Sequence, residues 1–225
     1  LRRLEGAWQW AVAAIVVTVT FTWLLLTYGV PAGAKYVAFA IPEDINDVLR
    51  SDSLAMLDRV LFDASELPDE SKHRLERLFA EIQETDNAFS NYELEFRASN
   101  IGANAFAVPG GIVIMTDEMV EIAANDDELS AVLAHEVGHL YNRHLLRMLL
   151  QNSASALIIA GLIGDLSSIT SLSAAVPTVL MQTKYSRDFE IEADAFAFRF
   201  LESKGINSNV LSELLQRIEG ASHND

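Results

Sequence analysis

Residues 133–144, LAHEVGHLYNRH, decide how this chain is read. His135 and His139 are four residues apart, so on a helix both imidazoles leave the same face and can grip one ion. Glu136 lies beside them. It cannot easily be a third ligand from the same turn, but it can take a proton from a metal-bound water. Zinc suits such a site, because neutral imidazole and carboxylate are among its ordinary ligands and a reactive centre keeps one position open for water. The flanking Val132, Leu133, Ala134, Val137 and Leu140 are apolar, so the helix reads as buried. Two imidazoles and a carboxylate in that setting need compensation for lost solvation, which a metal supplies and which ordinary core hydrogen bonds would supply otherwise.

Working outward, Asn125 and Glu128 have the spacing of a capping box, and the spacing predicts a helix running through Leu129 to about Leu150. On a continuous helix, at about 100° per residue, His144 falls on the side opposite His135 and is expected at the surface or behind the site. The metzincin class is excluded, because Asn142 stands where a metzincin carries Gly and Leu145 where it carries its last His. The remaining donors are acidic. In YSRDFEIEADAFAF, residues 185–198, Glu190 and Asp194 share one helical face, whereas Glu192 is turned about 200° from Glu190. Phe189, Ala193, Phe196 and Phe200 form an adjoining apolar stripe. Glu190 is read as the ligand, with Asp194 accepting the outward N–H of a ligating imidazole. Asp188 or Asp194 as the ligand stands as the alternative.

No charged residue occurs from Gly6 to Ala34, and the run from Trp8 to Val30 is long enough to cross a bilayer core of roughly 30 Å as one helix. Trp8, Trp10 and Tyr28 lie near its ends, where amphipathic rings favour the headgroup region, and Pro31 with Gly33 is expected to stop the helix. The run is too long for the apolar region of a typical signal peptide. Residues 1–34 are therefore an anchor, and residues 35–225 the remaining domain. Arg2 and Arg3 precede the span and Lys35 follows it, so the positive-inside tendency puts the N-terminus in the cytoplasm and the domain on the extracytoplasmic side. The numbering opens on Leu1 and not on an initiator Met, which leaves room for sequence upstream.

The rest of the 225 residues supports one main domain. Apolar residues recur at three- and four-residue intervals through Val48, Leu49, Met56, Leu57, Val60 and Leu61 and, after Pro68, through Leu75, Leu78, Phe79 and Ile82, predicting packing helices. Tyr92 to Phe96 alternates, and Ala105 to Met115 carries Pro109-Gly110-Gly111 between two short apolar runs, which predicts a small sheet with a hairpin. Two more helices are expected over residues 188–202 and 209–219, around a turn at Gly205. The fold class is α+β, mostly helical. A net charge of −16 without clustered Lys or Arg excludes a nucleic-acid binder. With no cysteine, disulfides, thiolate metal sites and cysteine nucleophiles are excluded together.

Three segments together resemble the integral-membrane zinc peptidases that include HtpX, the CAAX prenyl endopeptidases and the Oma-type proteases, the family numbered 48: NAFAVPGG at 104–111, LAHEVGHLYNRH at 133–144 and YSRDFEIEADAFAF at 185–198. The resemblance implies a zincin-like domain with a small sheet beside the active-site helix. It implies one zinc ion held by His135, His139 and Glu190, the Glu of an ExxxD motif whose Asp is Asp194. It also implies that Asn104, Ala105, Phe106 and Ala107 border the cleft, where an extended substrate could pair by strand addition. One clear anchor, where CAAX proteases and HtpX have several spans, departs from those members, so prenylated substrates are not implied. The expected activity is endoproteolysis of protein or peptide substrates, with misfolded membrane or envelope proteins as the family's inference and membrane lipid as the anchor's partner. The alternative is a latent or non-cleaving, zinc-stabilised, chaperone-like binding module.

Residues 156–181 are apolar enough to suggest a second crossing. A single crossing would put the two histidines and Glu190 on opposite sides of the bilayer, and the run is too short for two helices of about 20 residues each. It is expected to shield the site or dip into the membrane, with 151–184 as a candidate plug, and a simple buried core helix over Leu157 to Ile163 stands as the alternative.

Overall fold

The apolar runs in the middle of the chain form a four-stranded sheet, and the element between them and the C-terminus that carries most buried residues is the histidine-bearing helix. The computed structural model describes residues 2–41, 46–163 and 185–222. Two compact units partition the chain, residues 1–41 with 147–170 and residues 42–146 with 171–225.

In the first unit, α1 (Arg2–Leu24) passes through a single π turn (Leu25–Gly29) into α2 (Val30–Ala40). The helix does not end at Pro31. In the π turn the Val30 N–H bonds the Leu25 carbonyl, one residue further back than in an α-helix. This wider turn accommodates the proline ring, which would otherwise strike a carbonyl of the preceding turn. Trp8–Ala40 is thus one helix of 33 residues, apolar enough to cross a membrane. At 1.5 Å per residue it is about 50 Å long, well beyond a bilayer's hydrocarbon core.

The second unit opens with α3 (Asn46–Val60), β1 (Phe62–Ala64) and α4 (Asp69–Gln83), followed by a short 3₁₀ turn (Asn87–Phe89). Strands β2 (Glu93–Ser99), β3 (Ala105–Val108) and β4 (Ile112–Thr116) complete the sheet in the order β1-β2-β4-β3. β1 pairs antiparallel with β2, β2 parallel with β4, and β3 antiparallel with β4. The predicted hairpin joins β3 to β4 through Gly110 and Gly111, both at positive φ, 95° and 84°. That backbone is open to glycine and strained for other residues. Arg50 on α3 clamps the turn, its Nη2 donating to the Gly110 carbonyl at 2.8 Å. β4 is buried along its whole length, as its unbroken apolar run requires, and β3 is an edge among the described strands.

After α5 (Asp117–Ile122), Asn125 caps α6 (Asp126–Tyr141), its Oδ1 accepting the Glu128 N–H at 3.0 Å. Glu128 reaches back to the Ala124 N–H and is gripped by both terminal nitrogens of Arg217 at 2.6 and 2.9 Å. The helix stops nine residues before the expected Leu150. Asn142 Nδ2 bonds the Gly138 carbonyl, Arg143 takes a left-handed conformation at φ 52°, and α7 (His144–Ile163) starts in a new direction. The last two elements are α8 (Arg187–Lys204), closed by Gly205 at φ 71°, and α9 (Asn209–Ser222). Leu75, Phe79, Val113, Met115, Leu129, Leu133, Leu201 and Leu214 make one core between α4, the sheet, α6, α8 and α9. Residues 164–184, which hold most of the candidate plug, lie outside the described residues.

Candidate metal centre

Helix α6 is buried over most of its length, and its histidine face meets α8. The close approach depends on Gly138, which sits where any side chain would collide with α8. His135 Nε2 and His139 Nε2 come to 3.0 Å of one another. Glu190, from the first turn of α8, places Oε2 at 3.5 Å from His135 Nε2 and Oε1 at 3.9 Å from His139 Nε2. One donor atom from each of the three lies within 4.8 Å of the other two. Asp188 is exposed and outside this group. Asp194, one turn beyond Glu190, puts Oδ1 at 3.0 Å from His135 Nδ1, although off the line of a well-aligned hydrogen bond, so that this buried nitrogen still lacks a good acceptor.

The residues fit a zinc ion. Two ligands at 2.0–2.1 Å in tetrahedral geometry stand roughly 3.3 Å apart, a few tenths of an ångström more than the two imidazole nitrogens here. Two buried ring nitrogens facing each other, with a carboxylate to neutralise charge, form a donor set that hydrogen bonding alone satisfies poorly.

Electrostatics divide the two histidines. Burial alone would lower His135, but the Asp194 and Glu190 carboxylates beside it and the charge of Glu136 carry it up to about 10. His139 is pushed down to about 2, first by burial and then by the neighbouring His135 and His144 side chains. Glu136 is pushed up to about 7 by burial, with Glu190 adding to the shift while the His135 charge and the Ala107 N–H work against it.

The cleft in front of these residues has a volume of about 390 Å³ and is lined by Ile101, Asn104, Phe106, Glu136, Tyr185 and Glu190 among others. All of Asn104, Ala105, Phe106 and Ala107 border it. Asn104 accepts the Thr116 N–H, and Phe106 stands opposite Ile114. Hydrogen-bonded pairs alternate along an antiparallel ladder, so the backbone groups of Ala105 and Ala107 point away from β4.

The structure gives three further residues a definite place. Of the two places expected for His144, at the surface or behind the site, it takes the second and is fully buried, because α6 ends at Tyr141 and the chain turns back. Its Nδ1 lies 2.8 Å from His139 Nδ1 and its Nε2 2.9 Å from Glu192 Oε2. Glu192, turned away from Glu190 as expected, meets His144 instead. The only local signal is Asn142-Arg143, a poor helix interior directly before His144. Tyr185 stacks on the His139 ring at 4.1 Å, and its buried hydroxyl has no hydrogen-bond partner among the described residues. Burial, with Glu136 and Glu190 nearby, holds that hydroxyl protonated well above its ordinary range.

A small sheet with an open edge strand beside a buried helix bearing His135, Glu136 and His139, crossed by a second helix bearing Glu190, has the form of a metallopeptidase domain. Residues 69–223 match the family model of Peptidase family M48, and the chain belongs to that family. It is 30% identical over 152 residues to a putative beta-barrel assembly-enhancing protease of Vibrio cholerae serotype O1, covering 63% of this chain and 31% of that one. It is 35% identical over 117 residues to the metalloprotease YcaL of Escherichia coli (strain K12), covering 48% of this chain and 44% of that one. Identity to the mitochondrial metalloendopeptidase OMA1 of Schizosaccharomyces pombe is 28% over 118 residues, covering 52% of this chain and 35% of the relative. The chain therefore spans less than half the length of these relatives.

Proposed function

We propose that this protein is a membrane-anchored zinc endopeptidase in which His135, His139 and Glu190 hold the metal and Glu136 is the general base. The observation that carries this reading is the convergence of the three donors, with Glu136 beside them, at the back of a cleft whose wall is an open strand edge. A bound zinc ion supplies Lewis acidity and a water that ionises near neutral pH. Asp194 orients His135 through its outer nitrogen. The outward-facing carbonyls of Ala105 and Ala107 accept from an extended substrate lying along the strand edge, while their N–H groups are held by the Asn104 side chain and by Glu136, with Asn104 and Phe106 completing the border. Glu136, held by the Ala107 N–H in a buried site, takes the proton of the attacking water and returns it to the leaving amine. Tyr185, protonated and lining the cleft, is the donor that meets charge developing on the scissile carbonyl oxygen.

Protein substrates follow from the family, and the relatives named for beta-barrel assembly support proteins of a bacterial-type envelope or of a membrane as the class. The apolar helix Trp8–Ala40 supports a single-pass anchor. Arg2 and Arg3 before it support an extracytoplasmic catalytic domain.

The deciding experiment measures zinc stoichiometry and casein cleavage on the detergent-solubilised chain and on Glu136→Gln. One zinc in both, with cleavage by the wild type alone, is expected. One zinc in both and cleavage by neither would replace this reading with a latent enzyme or a zinc-stabilised binding module, and no zinc in the wild type would remove the metal centre altogether.

A further inference from the structure

We propose that His144 and Glu192 are positioning residues for the metal centre, forming a relay that fixes His139 in the one tautomer able to bind metal. This inference rests on the zinc reading above. A neutral imidazole has one N–H and one lone pair. His139 turns Nε2 toward His135 and Glu190, so that nitrogen must keep its lone pair and Nδ1 must carry the proton. The nearest acceptor along this chain of contacts is His144 Nδ1 at 2.8 Å. For His144 Nδ1 to accept, the proton of His144 must sit on Nε2, where it donates to Glu192 Oε2 at 2.9 Å.

An ionised carboxylate only accepts, so the direction of the whole chain is set from the Glu192 end. Reversing either ring would bring two N–H groups face to face or leave two lone pairs opposed. The pocket fixes the ring's position and tilt: His144 is completely buried, and the Phe189 ring lies flat against it at 4.4 Å and 9°. Outer hydrogen-bond partners commonly fix the tautomer of a ligating histidine. Here His135 has a carboxylate directly behind it, whereas His139 is reached through an intervening imidazole. Helix α8 contributes to both arrangements, Asp194 behind His135 and Glu192 behind His144, and also carries Glu190.

The test is zinc affinity of the full chain in detergent, by competition with a chromophoric chelator, for wild type, His144→Leu and His144→Asn. Leu fills similar volume but accepts no hydrogen bond, while the Asn side-chain oxygen can stand where Nδ1 stood. Weakening of zinc binding by roughly 10–100-fold in the Leu variant, with the Asn variant within a few-fold of wild type, is expected. In nitrogen-15 histidine-labelled, zinc-loaded protein, the His139 Nδ1–H signal should persist in wild type and the Asn variant and be lost with Leu. Equal affinity in wild type and the Leu variant, or equal loss in both variants, would overturn the relay. If the Leu variant does not fold, Glu192→Ala, at a partly exposed position, takes its place, with the same weakening expected and wild-type affinity as the overturning result. Absence of zinc from the wild type would instead defeat the metal reading itself, and the relay with it.

Discussion

Gly138 on α6 lies directly against Ala193 on α8: a Cβ at residue 138 would stand 2.9 Å from the Ala193 carbonyl oxygen and 3.0 Å from its Cα. Both obstacles are backbone, so the helices themselves would have to separate. Their spacing also sets the distance from His135 and His139 to Glu190. Gly138→Ala is expected to destabilise the fold by roughly 1–3 kcal/mol despite improving helix propensity, and to weaken zinc binding. Thermal unfolding of the zinc-free and zinc-loaded chain would show both effects, and an unchanged melting temperature would refute the close-approach argument.

Glu190→Gln keeps the shape of a side chain that is 42% exposed while removing its charge, so the fold should survive. Zinc affinity should fall roughly 100-fold or more, beyond what loss of an outer hydrogen-bond partner costs. Asp188→Asn should leave affinity unchanged. The reverse pattern would transfer the ligand role to Asp188.

Tyr185→Phe removes one buried hydroxyl and leaves the ring stacked on His139. Loss of an oxyanion donor costs about 10²–10³ in kcat. Steady-state kinetics on a peptide substrate should show that loss with KM and zinc content little changed. A purely structural tyrosine would instead lower stability and leave kcat near wild type.

Zinc uptake should depend steeply on pH. Without metal, His135 keeps its proton up to about 10 and Glu136 up to about 7. A ligating His135 must release its proton, and a nearby cation favours the Glu136 carboxylate. Between about pH 7 and 10 one proton is displaced, so apparent affinity rises with pH by about tenfold per unit. Below about 7 a second proton is displaced and the slope steepens. In the zinc-free protein the same groups act on stability in one direction: both have folded-state values raised above their ordinary ones, so their contribution is full at low pH. It is lost as pH rises through about 7 for Glu136 and about 10 for His135. Chelator competition at several pH values tests the first statement, and a pH-independent affinity would contradict it.

Much of the fold was legible because its signals are local. The Asn125 cap, the Pro109-Gly110-Gly111 turn and the Gly205 stop each act through backbone groups within a few residues, and the structure places all three as read. The juxtaposition of His135 and His139 follows from helical periodicity alone. Other readings failed where a local rule met a longer-range alternative. Pro31 was expected to end the first helix, but the π turn over Leu25–Gly29, ending two residues before it, absorbs it. The parallel pairing of β2 with β4, and β1 itself, join segments about 20 to 40 residues apart, which no short window of sequence contains.

By itself, the sequence determined the donors available to this protein: two histidines one helical turn apart, a glutamate between them, and carboxylates at 190 and 194 on one face of a later helix. Those relations depend only on the geometry of a single helix, so residue spacing suffices to state them. Only the tertiary structure decided how the donors are supported. The break at Asn142 and Arg143 bends His144 beneath His139, the absent side chain of Gly138 lets α8 approach, and Glu192 then closes on His144 from 48 residues away. Each of these depends on the packing of two elements against each other, a long-range balance of sterics and desolvation that local periodicity does not encode.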